Sequence, residues 1–471
     1  MRNNDGKAGI IMILLGVIIL VALIPWYLML SRFLNPDSIT EPPVTQTESP
    51  GEAEEPLPDD EAPLPEYEPE PIPEDEPEPD IPIEDTIVEI RTYHPGLFEE
   101  LNETARSYNA VSVSLVGYDG KTGEYFTYEF GYADTGDRRR VDVDTKFRVA
   151  SLAKLTTVIC AMILADEGLI DLDTDISVYL GYEVKNPNYP QVPITTRMLM
   201  QHTSSVFDSG AFQLSRDRNT SESLRYLLEE SSSSERGSSF RRSNQPGAVF
   251  EYSNFGYSVI GAICENVAGK TLDSFAREAL FDPLDIDAGY VPGNMIDTDN
   301  IAVIYNERHA VSRSLQSQLS IAESDVLGHD LHLAQGNLTI SILDYSKILT
   351  MLGNGGTLHG VRILSQDAVR AINNANVEGV AYMQGLATRH SVGGIIPDIG
   401  FYWHSGSAYG TFSQYIYSTE DNTNRGVVVV STGAITGRDS SGMASVCIDL
   451  TALAWTGLGF TGDSEEQSEA D

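Results

Sequence analysis

In the stretch "FRVASLAKLTTV", residues 147–158, Ser151 stands three positions ahead of Lys154 at the start of an apolar run. On a helix, that spacing sets an amine beside a hydroxyl. A serine hydroxyl is a weak nucleophile until a neighbouring base takes its proton, so the pair has the parts for covalent catalysis. A helix beginning near Ser151 would also favour, through its dipole, the anion that develops there. The chain has seven lysines and many serines, so the match alone decides nothing. Two further stretches gather polar groups at the ends of elements. "PGAVFEYSNFGY" holds Tyr252-Ser253-Asn254 just ahead of a helical run, and "FYWHSGSAYG" holds His404-Ser405-Gly406 at the end of a short aromatic strand.

The elements that must position these residues are legible from periodicity. After Ser151, apolar residues at 155, 158, 159, 162 and 163, with Cys160 and Ala161 between them, predict a helix buried nearly all round. Gly168 is placed to end it. "AVSVSLVGYDG" and "GEYFTYEFGYAD" predict a hairpin, and "SQYIYSTE" with "RGVVVVST" predict a second one joined by "DNTN". "TTRMLMQHTSS" reads as a short helix running into a loop, and "SGMASVCIDLTALAW" as a carboxy-terminal helix. The serine- and arginine-rich stretch 231–245 reads as a mobile surface insertion, part of a longer insertion over 206–245. Strands near both ends of residues 91–460, with helices between them, predict one sheet assembled from distant parts of the chain plus a helical lobe.

In order, S-x-x-K, Y-x-N and H-x-G resemble the three active-site motifs of the serine penicillin-recognising enzymes. More narrowly, the chain is similar to the class C beta-lactamase and low-molecular-weight penicillin-binding protein branch. The likeness covers about residues 105–457 and includes "DTKFRVASLAK", "ITTRMLMQHTSS", "PGAVFEYSNFGYSVIGAICENVAG" and "GNLTISILDYSKILTMLGNGG". It implies an α+β, beta-lactamase/DD-peptidase-like fold, with an antiparallel sheet flanked by helices and a helical lobe. It further implies that Ser151 is the nucleophile and that Lys154 and Tyr252 share its proton. Asn254 would hold Lys154 and a substrate amide, and His404, Ser405, Gly406 and Ser407 would line the substrate. The backbone N–H groups of Ser151 and Ser407 would form the oxyanion hole.

Two departures stand out. Most of that family has K-T-G where this chain has His404-Ser405-Gly406, so the charge at that position becomes pH-dependent. The favoured expectation is that a protonated His404 grips a substrate carboxylate; the alternative is a neutral ring that relays the proton of Tyr252. In "QHTSS", Ser205 occupies a position where relatives usually carry glycine. Arg138-Arg139-Arg140 reads as a solvated turn.

Outside the 91–460 domain the composition changes sharply. Residues 8–30 carry no charge over 23 residues, enough to cross a hydrocarbon core of roughly 30 Å. Arg2 and Lys7 precede them, predicting a cytoplasmic stub at 1–7, a retained transmembrane anchor at 8–30 and an exported remainder in the cell membrane. No A-x-A site follows, which disfavours a cleaved signal peptide. Residues 35–90 hold 14 prolines, 20 acidic residues and no basic ones, so 31–90 is expected to be a disordered linker and 461–471 an acidic disordered tail. The net charge is −39, but residues 91–460 contribute only −16, with no basic patch that would suit nucleic acid. Three separated cysteines, Cys160, Cys264 and Cys447, argue against a disulfide framework. His329 and His332 in "GHDLHL" lack the glutamate of H-E-x-x-H, so neither metal nor cofactor is expected.

The expected protein is thus a membrane-anchored, extracytoplasmic serine hydrolase acting on D-amino-acid cell-wall peptides or related amides and esters. An esterase on small or wall-linked esters differs only in the leaving group. A non-catalytic penicillin-binding receptor or wall-binding module would share the fold.

Overall fold

Strands gather at the two ends of the ordered chain, and the residues between them are mostly helical. The computed structural model describes residues 88–90, 92–213, 224–229, 239–379 and 381–460. The expectations for 1–7, 8–30, most of 31–90 and 461–471 lie outside the described residues. Among those described, no helix is long and apolar enough to cross a membrane.

The strands of the main sheet are β1 (Val88–Glu89), β2 (Ser112–Asp119), β3 (Glu124–Asp134), β4 (Arg139–Arg140), β5 (Val377–Glu378), β6 (Met383–Gln384), β7 (Arg389–Val392), β8 (Gly400–Ala408), β9 (Thr411–Ser418) and β10 (Arg425–Thr432). Their order is β1-β3-β2-β10-β9-β8-β7-β6-β5, with β4 beside β3. Only the β1–β3 pair is parallel. The two ends of the chain meet where β10 pairs with β2, Val428 opposite Val116.

Period-2 alternation divides the sheet between two cores. Val428 and Val430 face the helical lobe, with Val116 and Tyr415. Val427 and Val429 face the opposite layer, with Val113, Leu115 and Trp403. That second layer is made by helices α1 (Leu97–Ser107) and α5 (Ser445–Gly457). The lobe contains α2 (Ala153–Asp166), α3 (Asn254–Ala268) and α4 (Ile342–Gly353). In α2 every residue from Ala153 to Leu164 is buried, and Gly168 beyond it takes φ +73°. All three cysteines are buried and free.

Three expectations need correction. The linker was expected to run to residue 90, but Val88 and Glu89 pair with Glu124 and Tyr125 on β3, and Ile90 is buried. Buried Ile90 supplies apolar surface that the Pro/Glu-rich part lacks, so the paired strand reaches back to 88. The stretch 231–245 is described only from 239 onward, and there it is tied in. Ser239 and Phe240 are buried, Val206 bridges to Phe240, and Arg241 pairs with Glu251. Arg139 is also no solvated turn residue, because its guanidinium donates to Asn300 Oδ1 and to the carbonyl of Ile301.

Candidate active site

The position of Ser151 is set by a sharp bend. Ala150 adopts φ +50°, and Ala150–Leu152 form a single 3₁₀ turn that runs directly into α2. Ser151 therefore sits at the helix entrance, and Lys154 one turn on points back at it. Lys154 is fully buried, and its Nζ donates to Ser151 Oγ at 3.2 Å, Asn254 Oδ1 at 2.8 Å and the carbonyl of Gln335 at 2.6 Å. All three acceptors are neutral. Tyr252 Oη donates to Ser151 Oγ at 2.9 Å, so the serine oxygen is approached from two sides.

Asn254 opens α3, one residue after the cap Ser253, whose Oγ accepts the N–H of Gly256. The amide of Asn254 is fixed at both ends, since its Nδ2 donates to Asp208 Oδ2 at 2.7 Å. Asp208 also accepts from the N–H of Phe255 at 2.8 Å, joining the loop after "QHTSS" to the α3 amino terminus.

Ser405, Gly406 and Ser407 lie on β8, which runs along the cleft beside Ser151. At Gly406 a Cβ would collide with Ser413 Oγ and sit 2.6 Å from the carbonyl of Val149 and 3.0 Å from the N of Ser151. Only glycine lets the strand come this close. Ser407 Oγ accepts from Arg438 at 2.5 Å.

His404 departs from its expected charge role. It is 1% exposed, and its Nδ1 lies 2.8 Å from the carbonyl of Ser405, a contact in which the ring must donate. Nε2 is then a bare acceptor, buried without a hydrogen-bond partner among the described residues. Burial, with Arg389 and Lys154 close by, holds the ring's pKa well below 6.5. A neutral buried imidazole does not grip a carboxylate by charge. His202 is similar. Its Nδ1 accepts the N–H of Ser253, its ring lies 4.4 Å from that of Tyr252, and burial with Lys154 and Arg389 depresses its pKa strongly. Tyr252 thus stands between two neutral histidines.

The cation at this end of the cleft is Arg389, on β7. It is 6% exposed, and its guanidinium carbon lies 4.5, 4.9 and 5.7 Å from the rings of Tyr382, Trp403 and Tyr252. Its Nε has no hydrogen-bond partner among the described residues. Neither Arg389, Asp208 nor the carbonyl of Gln335 was singled out from the sequence. The open cleft has a volume of about 1170 Å³. Among the described residues, no group of three side chains has the composition and geometry of a metal site.

Residues 96–445 match the family model described as Beta-lactamase. The chain belongs to the beta-lactamase family. "Protein flp" of Staphylococcus aureus (strain N315) is 28% identical over 165 residues, 35% of this chain and 32% of that protein. "Penicillin-binding protein 4*" of Bacillus subtilis (strain 168) is 25% identical over 194 residues, 41% of this chain and 40% of the relative. These matches span well under half the length of either curated relative. The structure titled beta-lactamase/D-alanine carboxypeptidase from Pseudomonas syringae superposes with a TM-score of 0.59 at 15% identity, covering 78% of this chain and 98% of that one. That likeness concerns the fold.

Within the beta-lactamase family frame, the serine at 205 has a physical explanation. Its φ is +66°, the left-handed region that glycine enters most easily, and its Oγ accepts from Asn186 Nδ2 at 3.0 Å. The local bond offsets part of the backbone strain.

Proposed function

We propose that this protein is a serine hydrolase working through an acyl-enzyme on Ser151, with D-amino-acid peptides of the cell wall, or related amides and esters, as substrates. The observation that carries the reading is the double approach to Ser151 Oγ, with Tyr252 Oη at 2.9 Å and Lys154 Nζ at 3.2 Å. In this mechanism the Tyr252–Lys154 pair is first one proton short, so that Tyr252 Oη accepts from Ser151, and as Oγ attacks the acyl carbon its proton passes to that pair. The N–H groups of Ser151 and Ser407 receive the oxyanion. Tyr252 then hands the proton to the leaving nitrogen or oxygen, the C–N or C–O bond breaks, and the acyl group stays on Ser151. A water activated by the same pair attacks that ester and restores the serine. Arg389, beside Tyr252, suits a terminal carboxylate on the leaving group. The relative from Pseudomonas syringae, titled a D-alanine carboxypeptidase, accords with such a substrate. The apolar run 8–30 and the basic residues ahead of it support a single-pass anchor with the catalytic domain outside.

Purified protein incubated with a fluorescent penicillin, D-Ala-D-Ala peptides and p-nitrophenyl esters tests the chemistry. A covalent adduct should map to Ser151 by mass, and Ser151→Ala should lose at least about 1,000-fold in hydrolysis. Near-wild-type turnover in Ser151→Ala would sink the mechanism.

A further inference from the structure

The far end of the cleft from Arg389 carries a second cationic feature. β8 and β9 are joined by a two-residue turn, Tyr409-Gly410, with Ala408 opposite Thr411. Both turn residues have positive φ, +59° for Tyr409 and +106° for Gly410. Glycine and asparagine suit the first of these positions far better than tyrosine. The Tyr409 ring is nevertheless 41% exposed, lines the cleft, and has two guanidinium carbons near its centre, Arg148 at 4.9 Å and Arg313 at 3.7 Å. Arg148 comes from the segment leading to Ser151, and its Nε donates to the carbonyl of Gly336. Arg313 donates to the carbonyl of Ser312, and among the described residues no carboxylate pairs with it.

The charge around the cleft is the reverse of that on the whole chain. Among the described residues four arginines line it, Arg148, Arg313, Arg389 and Arg438, against one carboxylate, Asp439. Asp439 is already engaged, accepting from the N–H groups of Ser441 and Met443. A protein of net charge −39 thus presents a cleft that attracts anions.

Direction along the cleft follows from strand register. Gly406 is level with Ser151, as its close approach to that residue's N requires. Arg389 pairs with Trp403, three residues before Gly406, and Tyr409 lies three residues after it. At about 3.4 Å per residue, the two cationic positions lie roughly 10 Å to either side of the nucleophile. Tyr252, which protonates the leaving group in the mechanism above, is next to Arg389. The acyl portion must therefore run the other way, toward Tyr409.

We propose that Arg148, Arg313 and Tyr409 form an acyl-side subsite for a carboxylate held about 10 Å from the scissile carbonyl. The assignment rests on the serine-hydrolase reading for the direction in which the substrate lies. The preferred substrates are acidic acyl donors, in which the carboxylate is gripped by the two guanidinium groups and its stem packs on the tyrosine ring.

The test uses two p-nitrophenyl esters of equal length, of N-succinyl-D-alanine and N-succinamoyl-D-alanine, which differ only in a terminal carboxylate or carboxamide. The nitrophenolate leaving group does not engage Arg389 as a carboxylate would. Wild type should favour the succinyl ester about tenfold in kcat/KM, and Arg313→Gln should reduce that preference to about twofold or less. Tyr409→Asn should also reduce it while raising Tm, because asparagine tolerates positive φ. Equal kcat/KM for the pair in wild type, or an unchanged preference in Arg313→Gln, would overturn the subsite. The unreactive N-methylamides of the same two acids, titrated calorimetrically into Ser151→Ala, separate this proposal from the one beneath it. Tighter binding of the succinyl compound, with no turnover of either ester by wild type, upholds a carboxylate site at Arg148 and Arg313 and removes the hydrolase reading together with the acyl-side direction. Equal binding, or none, removes the subsite.

Discussion

At the scale of single residues, the site's chemistry depends on which groups are kept neutral. His404 and His202 are both buried, with pKa values pressed well below 6.5, largely by burial. For such a group the unfolded chain takes up a proton that the folded one refuses. Its contribution to stability is therefore complete above about pH 6.5 and is lost as the pH falls toward the depressed folded value. His404→Asn, which keeps a donor in the Nδ1 position, should lessen the loss of stability between pH 6.5 and 5 by about 1–2 kcal/mol relative to wild type, read in urea melts. Identical pH slopes in the two proteins would mean that the ring is charged in the fold. The same burial predicts that binding of carboxylate-bearing peptides between pH 6 and 8 does not follow a histidine titration.

At the scale of elements, the site works because a strand, a helix start and a bend converge. Gly406 shows how little slack there is, since a methyl group there meets the carbonyl of Val149 and the N of Ser151 at 2.6 and 3.0 Å. Gly406→Ala should push β8 off the nucleophile, costing about 1–3 kcal/mol of stability. The opened oxyanion hole should slow acylation of Ser151 by about 100-fold or more, measured as the rate of adduct formation. An unchanged acylation rate would show that the strand need not lie so close. The elements themselves were readable because their signals are local. Four consecutive valines before a Ser-Thr pair mark a strand buried on both faces, and the apolar run after Ser151 marks a helix buried all round. Ser151, Lys154, Tyr252, Asn254 and the His404–Ser407 segment came from motifs carried on those elements. The residues that escaped notice have no such local mark. Asp208 is a lone acid in a loop, and it reaches Asn254 only through the chain's return at α3. Gln335 contributes a backbone carbonyl, which any residue type could supply. Arg389 becomes part of the cleft only through the β7–β8 register, which nothing in its own short strand reveals. The choice between the two roles of His404 was hidden for a related reason, because its identity is visible in the sequence but its burial is not.

At the scale of the whole molecule, much of the negative charge lies in a different part of the sequence from the site residues. The acidic excess is concentrated in residues 35–90 and in the tail, while the cleft is lined by arginines. If residues 8–30 anchor the chain, the full-length protein in its host should remain in the membrane fraction after salt and alkaline washing. Residues 88–471 alone should then be soluble, with kcat/KM within about twofold of the full-length enzyme, since every residue named in the site lies after 88. A mature amino terminus near residue 30, or a large drop in kcat/KM on truncation, would count against this arrangement. The placing of β1 has a mechanical side. It is two residues long, it hangs on the outer edge of the sheet, and Ile90 just beyond it adds one bond to Tyr125. Four strands stand between it and β8, so at about 4.8 Å per strand the point of attachment is roughly 24 Å from the cleft strand. If residues 8–30 anchor the chain, tension arriving from that side would be spent in peeling this short strand. The central strands would feel the load only after it had let go. β1 is in that sense a fuse, and an enzyme pulled from its amino-terminal side would lose its outermost strand before its catalytic geometry.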